Sequence, residues 1–313
     1  CTIQSNSIIS PNGTLNASKF VENNSANSNF KISSISKPTS GANTLSIFVK
    51  AAERKWVLLR ENAQNGVSAY FDIENGVIGQ NNGGDNVKIE NYGNGWFRIS
   101  FSDVLTNVNL EVRIALSNGV DQYNGDGTSG VYIWGAQLEQ GSYSTSYIKN
   151  EGTALGVTRV ADTASGSGSS TVINSSEGTL YAEIRALADD GTYRVISLSQ
   201  GSNNEIYLVY NAASNEIGGV LINSGSYDVL LSYVVSSTLD FHKIAFKYKS
   251  GDFALWVDGI EVSTSPFVGA LTSGLLNELK FAGAGANPFY GKTKSVQVYT
   301  TALTDAELQA LTS

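Results

Sequence analysis

Apolar residues recur at every second position over much of this chain. Leu110-Glu111-Val112-Arg113-Ile114-Ala115-Leu116 alternates almost cleanly, and Val67-Ser68-Ala69-Tyr70-Phe71-Asp72-Ile73 places its apolar residues on the odd positions. Successive side chains of a strand point to opposite faces, so such segments rest one face on a core and turn the other toward water. Tyr70 falls on the outward parity. Similar strands are readable at 45–50, 96–101, 131–138, 179–185, 205–210, 229–235, 242–248, 253–257 and 294–299. Asn75-Gly76 and Asp258-Gly259 each sit between apolar runs, and such dipeptides favour positive φ and tight type I′ hairpins. Many short strands with these turns predict an all-β chain built from sandwiches or jelly rolls.

One helix is expected, at the C-terminal end. Thr304-Asp305-Ala306-Glu307 has capping-box spacing, and Leu303 and Leu308 occupy the two positions of a hydrophobic staple. The 313 residues suggest two domains. Ala164-Ser165-Gly166-Ser167-Gly168-Ser169-Ser170 offers no side chain to anchor a core and reads as a linker or long loop. The expected division is a first β-sandwich over 1–162, a Ser/Gly-rich linker over 163–176 and a second jelly roll over 177–313. Charge differs between the halves: residues 1–176 carry 14 acidic and 12 basic groups, residues 177–313 carry 14 and 8.

Several function classes drop out. A net charge of −8 argues against nucleic acid, whose phosphates need clustered Lys and Arg. No apolar run approaches the roughly 18 residues of a membrane span. The single cysteine, Cys1, excludes an intrachain disulfide and a Cys-based zinc cluster, and the single histidine, His242, excludes multi-His metal sites. The chain contains no methionine, so it reads as processed or cut from something longer. Cys1 as the lipidated residue of a bacterial lipoprotein is the alternative. Only 15% of residues are charged, and polarity comes instead from Ser, Thr, Asn and 32 Gly. Such a surface suits neutral polar ligands such as glycans.

Three stretches of the first half carry a resemblance: Ser10-Pro11-Asn12-Gly13-Thr14-Leu15-Asn16-Ala17-Ser18-Lys19-Phe20, Asn94-Gly95-Trp96-Phe97-Arg98-Ile99-Ser100, and Gly125-Asp126-Gly127-Thr128-Ser129-Gly130-Val131-Tyr132-Ile133-Trp134-Gly135-Ala136-Gln137-Leu138-Glu139. The third is followed by Tyr147-Ile148 and by Val157-Thr158-Arg159-Val160-Ala161-Asp162. This half resembles the carbohydrate-binding-like β-sandwich modules of phage virion and tail-fibre proteins. In such modules a strand precedes the first stretch, and here little sequence remains for it. Phe241-His242-Lys243-Ile244-Ala245-Phe246, Ala254-Leu255-Trp256-Val257-Asp258-Gly259-Ile260, Phe289-Tyr290-Gly291 and Val296-Gln297-Val298-Tyr299 carry a second resemblance. From 177 to 313 the chain resembles concanavalin A-like, laminin G-like jelly rolls, a fold that hosts lectins, adhesins, spacers and glycoside hydrolases. Function must therefore be argued from a site.

A retaining or inverting glycosidase needs two carboxylates facing across a sugar. The Glu-x-Asp-x-x-Glu string typical of concanavalin A-like hydrolases does not occur, and Asp189-Asp190-Gly191 reads as a turn. His242 reads as a packed, hydrogen-bonded residue. Asp121, Asn124 and Asp126 place three oxygen ligands in a Gly-rich loop, a candidate calcium site if backbone carbonyls complete it; a solvated loop is the ordinary reading. Sugars stack their C–H faces on aromatic rings. The candidate ligand-binding residues are Tyr70, Tyr123, Tyr193, Tyr207, Asn204 and Tyr227, while Trp96, Trp134 and Trp256 read as structural.

The resulting expectation is a non-enzymatic structural or adhesive protein of a phage virion. It would sit on the virion surface and present glycan-binding sandwiches to a bacterial surface glycan. The resemblance implies a homo-oligomer, a trimer, with other virion subunits as alternative partners. The rival is an extracellular bacterial lipoprotein or the accessory module of a polysaccharide-degrading enzyme.

Overall fold

The computed structural model describes residues 1–33, 41–61, 66–104, 110–150, 157, 167–269, 271–283 and 287–313. The chain divides into two compact units, Cys1–Val160 and Ala161–Ser313. Each is an antiparallel β-sandwich. The expected stretch at 158–162 and the first part of the expected linker, 163–166, lie outside the described residues.

In the first unit the strands are β1 (Thr2–Ile9), β2 (Leu15–Val21), β3 (Phe30–Ser33), β4 (Asn43–Ala51), β5 (Trp56–Glu61), β6 (Ser68–Asp72), β7 (Val77–Asn82), β8 (Asp85–Asn91), β9 (Trp96–Asp103), β10 (Leu110–Ala115) and β11 (Gly130–Gln140). One sheet runs β1-β2-β11-β4-β9-β8 and the other β3-β10-β5-β6-β7. Their facing sides follow the period-two pattern. Leu45, Ile47 and Val49 of β4 and Phe97, Ile99 and Phe101 of β9 meet Val57, Leu59, Ala69, Phe71, Leu110, Val112 and Ile114 in one core. The strand that seemed to be missing is present: β1 precedes Ser10 and pairs antiparallel with β2. Its side chains are nearly all exposed, so it lacks the apolar alternation by which the other strands announce themselves.

Parts of both outward faces of this unit are covered. Glu111 and Arg113, on the polar parity of β10, are buried. Arg113 bonds the Glu111 carboxylate and reaches Asp121 Oδ2 at 2.5 Å, and Lys31 Nζ lies 2.5 Å from Glu111 Oε1. Over the other sheet, residues 141–148 form a strap. Thr44 Oγ1 donates to Gly141 O at 2.8 Å, Ser102 Oγ to Ser142 O at 2.7 Å and Ile148 N to Gln137 Oε1 at 2.8 Å. Buried Arg98 donates to Thr145 O. Under the strap Phe48, Trp134 and Tyr147 pack together, with Trp134 and Tyr147 centroids 4.5 Å apart. Gly135 stands at φ +58° in a β-bulge, and a Cβ there would lie 3.0 Å from the Tyr147 ring. The Trp134–Glu139 motif thus builds and anchors this third layer.

The second unit contains β12 (Glu177–Ala186), β13 (Arg194–Ser199), β14 (Glu205–Tyr210), β15 (Glu216–Asn223), β16 (Ser226–Val234), β17 (His242–Lys249), β18 (Phe253–Val257), β19 (Ile260–Ser265), β20 (Glu278–Lys280), β21 (Gly291–Tyr299) and α1 (Asp305–Thr312). The sheets run β19-β18-β17-β12-β21 and β16-β15-β14-β13-β20. Leu180, Ile184, Ile196, Leu208, Leu221, Ile244, Phe246 and Leu255 lie in the core between them. Residues 167–176 belong to this unit rather than to a free linker. Ile173 enters the core, Leu279 N donates to Ser167 O at 2.6 Å, and Leu276 N to Ser175 Oγ at 2.8 Å. The Ser/Gly run lacks apolar side chains, but its backbone still bonds, and Ile173 three residues beyond it supplies the anchor.

The helix has the expected box: Thr304 Oγ1 accepts from Glu307 N and the Glu307 carboxylate accepts from Thr304 N. Leu303, Leu308 and Leu311 pack on Tyr181, Ala245, Ala254 and Trp256, so the helix covers the outward face of the β12-containing sheet. Trp256, like Trp96 and Trp134, is a packing residue.

The two expected hairpins part company. Asp258 and Gly259 have φ of +49° and +83° between paired Val257 and Ile260, as a type I′ turn requires. At Asn75-Gly76 only Gly76 is left-handed, and the loop holds four residues between paired Asp72 and Val77. Asp72 Oδ1 accepts from Glu74 N and Asn75 N, and Ile73 drops into the core. Burying Ile73 and capping two amides outweighs the shorter turn.

Candidate functional site

The candidate site lies on the outward face of the β13–β16 sheet, which among the described residues of this unit carries no helix or strap. Alternate residues of neighbouring strands stand in rows there: Ser197, Tyr207, Val220 and Leu230 in one, Val195, Val209, Gly218 and Ser232 in the next, and Ser199, Glu205, Ile222 and Tyr227 on the other side. Val195, Val209, Val220 and Ile222 form an apolar floor against which Tyr207 packs. Gly218 adds no side chain to its row; a Cβ there would sit 3.0 Å from Val209 Cγ1 and 3.2 Å from Asn211 Nδ2. A groove of about 710 Å³ results.

Three of the expected residues meet in it. Tyr193, Tyr207 and Tyr227 all line the groove, with Ser202, Glu205, Asn211, Glu216, Ser232 and Asn287 as its polar groups. Tyr227 is 59% exposed and Tyr193 47%, while Tyr207 is half-buried beneath them. Burial pushes the Tyr207 phenol well above its ordinary range, and neighbouring Tyr227, Glu205 and Tyr193 push it further. It therefore stays a neutral hydroxyl at any physiological pH. Rings, hydroxyls, amides and carboxylates around an apolar floor are what a sugar needs: a surface for its C–H face and partners for its hydroxyls.

The other three expected ligand residues do not join. Asn204 Oδ1 accepts from Ser224 N at 3.0 Å and so pins the β15–β16 turn. Tyr70 does point away from the core, but it is only 6% exposed, packed among Leu58, Ala115 and Trp56. Its hydroxyl donates to Asp121 Oδ1 at 3.1 Å, and burial followed by the Asp121 charge moves its pKa up to about 12. Tyr123 lies in the first core with its ring edge on Phe30, and its hydroxyl donates to Glu22 Oε2 at 2.6 Å. Burial and that carboxylate raise its pKa strongly.

The side-chain oxygens of the Asp121–Asp126 loop are likewise taken by protein donors. Asp121 accepts from Arg113, Asn29 and Tyr70. Asn124 Oδ1 accepts from Asn27 N at 2.8 Å. Asp126 accepts from Ser129 N and Oγ at 2.7 and 2.5 Å and from Thr128 N at 2.8 Å, and these bonds hold its carboxylate well below the usual range. The three oxygens face protein donors rather than one common point. Among the described residues no group of three or more His, Cys, Asp or Glu is placed to hold a metal ion. His242 is buried, with Nδ1 at 2.6 Å from Asp258 Oδ2 and Nε2 at 2.9 Å from Ser237 O.

Sequence reasoning missed Glu205, Asn211, Glu216 and Asn287. A signal existed for two of them. Glu205, Tyr207, Val209 and Asn211 share one parity on and just beyond a segment already readable as a strand. Asn287 comes from a loop remote in sequence, and nothing local marks it.

Residues 159–309 match a family model described as the concanavalin A-like lectin/glucanases superfamily. No curated protein matches the chain. Among solved structures, the receptor-binding domain of the botulinum neurotoxin C/D mosaic serotype is similar at 12% identity and TM-score 0.32, covering 45% of this chain and 36% of that one. Chicken galectin 2 is similar at 16% identity and TM-score 0.30, covering 42% and 95%. Sheep galectin-11, solved in complex with glycerol, is similar at 8% identity and TM-score 0.29, covering 39% and 89%. The chain thus spans about a third of the neurotoxin domain.

Proposed function

We propose that the chain is a non-enzymatic glycan-binding protein that uses the tyrosine-lined groove of its second sandwich. The observation that carries this is the meeting of Tyr193, Tyr207 and Tyr227 over an apolar floor. The lectin-like fold of residues 159–309 adds to it. Each contact is expected to be weak, with Kd on the order of 1 mM, or about −4 kcal/mol. Useful adhesion would then come from several copies acting together. A trimer displayed on a phage virion, as part of a tail fibre or capsid-associated protein facing the host surface, fits that need. The resemblance of residues 8–162 to virion modules is what supports this setting.

Glucanases share the fold, so the carboxylates need an answer. Glu205 pairs in register with Ile222, six residues from Glu216 on β15, which places the two groove carboxylates roughly 20 Å apart along the strands. Catalytic pairs stand about 5–10 Å apart. Glu278 lies two strands from Glu205, about 10 Å away, and its carboxylate is 3.0 Å from Lys280 Nζ.

A glycan array probed with the full chain and with Tyr207→Ala tests the reading. Binding by the native chain that the variant loses supports it; absence of binding at about 1 mM sugar removes its basis. Sugar release from host polysaccharide, abolished by Glu205→Gln or Glu278→Gln, overturns the non-enzymatic part. Particles that lack the chain overturn the virion setting.

A further inference from the structure

His242 is the single histidine of the chain, and both of its ring nitrogens face oxygens. Nδ1 lies 2.6 Å from Asp258 Oδ2, and Nε2 lies 2.9 Å from Ser237 O. A carboxylate and a backbone carbonyl accept hydrogen bonds and donate none. Each nitrogen must therefore carry a hydrogen for both contacts to be bonds, and an imidazole with two N–H groups is the cation. The ring is buried, so water does not make good a bond lost there.

The two bonds tie together segments that are remote in sequence. Ser237 lies in the connection 235–241, between β16 and β17. That connection holds the β14–β15 turn: Thr238 N donates to Asn215 Oδ1 at 3.0 Å, and Val235 N to Asn215 O at 2.9 Å. The same turn brings Asn211 N to Glu216 O at 2.9 Å, and both residues line the tyrosine groove. On the other side, Asp258 Oδ1 accepts from Lys243 N at 2.9 Å, and Gly259 N donates to Thr312 Oγ1 of α1 at 3.1 Å. The remaining charges nearby have their own contacts. Arg185 of β12 bonds Leu239 O at 3.2 Å, Lys243 bonds Ser313 O, and Lys294 of β21 pairs with Glu183. Asp189 accepts from Ser214 and Asn215 N, and Asp240 adjoins the connection through its N–H to Ser237 O at 3.2 Å. Tyr210 of β14 stays a neutral phenol, held so by burial and then by the Asp258 charge, against the pull of Arg194.

We propose that His242 is a proton-operated clamp: its imidazolium ties the 235–241 connection to the Asp258-Gly259 turn, and loss of one ring proton breaks one of the two bonds and loosens the 211–216 turn at the groove. A neutral ring has one N–H and one bare lone pair, which repels the oxygen it faces. The stabilisation is complete while the ring is charged and is lost as pH rises through its titration. The clamp does not depend on what the groove binds.

The test is an NMR series on the full chain from about pH 5 to 9, the range in which a histidine changes charge. It reads the His242 ring and the amides of Thr238, Lys243, Gly259, Asn211 and Glu216. These amides should shift with the same midpoint as the ring. Exchange protection of the 235–241 peptide should fall about tenfold or more across that midpoint, as one charged hydrogen bond is lost. Asp258→Asn keeps an acceptor for Lys243 N and suits the left-handed turn position, φ +49°, but removes the charge. It should move the common midpoint to lower pH. His242→Gln should abolish the step; where that variant fails to fold, the native series and Asp258→Asn decide. A ring that titrates while Thr238 and Lys243 stay still overturns the proposal, as does an unmoved midpoint in Asp258→Asn or a step that survives in His242→Gln. Shifts at Thr238 and Lys243 with Asn211 and Glu216 unmoved overturn the link to the groove.

Discussion

The two units are sandwiches with the same strand period, but they treat their outward faces differently. In the first, the 141–148 strap covers one sheet and the Asp121 loop closes over the other. Tyr70 and Tyr123 end with their hydroxyls on Asp121 and Glu22. In the second, helix α1 covers one sheet, and on the outward face of the other Tyr193, Tyr207 and Tyr227 line a groove. Tyrosine content alone does not mark a binding face. What decides is whether the chain's own loops reach it and whether a buried carboxylate takes the hydroxyl.

The contrast breaks most sharply at Arg113. Arg113→Ala leaves Glu111, whose side chain is fully buried, with Lys31 as its remaining charge partner. Breaking a buried ion pair in this way costs about 3–5 kcal/mol. Denaturant unfolding should show that loss in the first unit, with glycan affinity of the second unchanged. Equal loss of binding would mean that the groove depends on the first unit.

Removing one hydroxyl from each unit sharpens the comparison. Tyr123→Phe takes a donor from Glu22, a buried carboxylate that also accepts from Arg54 and Asp126 N, and should cost about 1–3 kcal/mol. Tyr207→Phe removes a half-buried hydroxyl whose partner is the Tyr227 phenol rather than a buried carboxylate and should cost about 1 kcal/mol. Paired unfolding curves read both. A larger cost at Tyr207 would place that residue among the structural ones. In binding, the order should reverse: Tyr227→Ala, nearly silent in stability, should weaken glycan binding by about 1–2 kcal/mol.

Acid should separate the units more gently. In the first, Glu53, Asp72, Glu111 and Asp126 are all held below the usual carboxylate range. Burial pushes Glu111 up, but hydrogen bonds from Lys31 and Arg113 more than offset it. In the second unit Glu307 is held low by the Thr304 backbone and side chain at an exposed helix start, whereas Glu111 of the first unit is buried. A carboxylate with a lowered folded pKa stabilises fully above its unfolded value, about 4, and loses that contribution as pH falls further. Hydrogen exchange on the intact chain between pH 5 and 3 should therefore show protection lost earlier in peptides of 1–160 than in those of 161–313. Simultaneous loss would contradict this electrostatic difference.

Much of the architecture was legible from local patterns. Alternation at 110–116, the capping box at Thr304 and the Asp258-Gly259 turn each arise from contacts within a few residues, and the structure repeats them. Strand β1 was hidden because its side chains are exposed on both faces and carry no alternation. The Asn75-Gly76 turn differs because burial of Ile73, a long-range gain, overrides a short-range preference. For the site, its aromatic ring marked Tyr207, and parity on β14 would have brought Glu205 and Asn211 with it. Tyr193 and Asn287 come from separate connections and Tyr227 from β16, and only strand pairing sets them around one groove.

The amino-acid order by itself determined the all-β class, the cores on alternate positions and the closing helix, because period and capping depend on the backbone geometry of a few neighbours. Tertiary structure alone decided which polar faces reach water. Glu111, Arg113, Tyr70 and Tyr123 read as outward or binding residues until distant segments fold over them and supply partners. Among the described residues of the second unit no segment does the same for the β13–β16 sheet, and the groove there depends on the path of the chain.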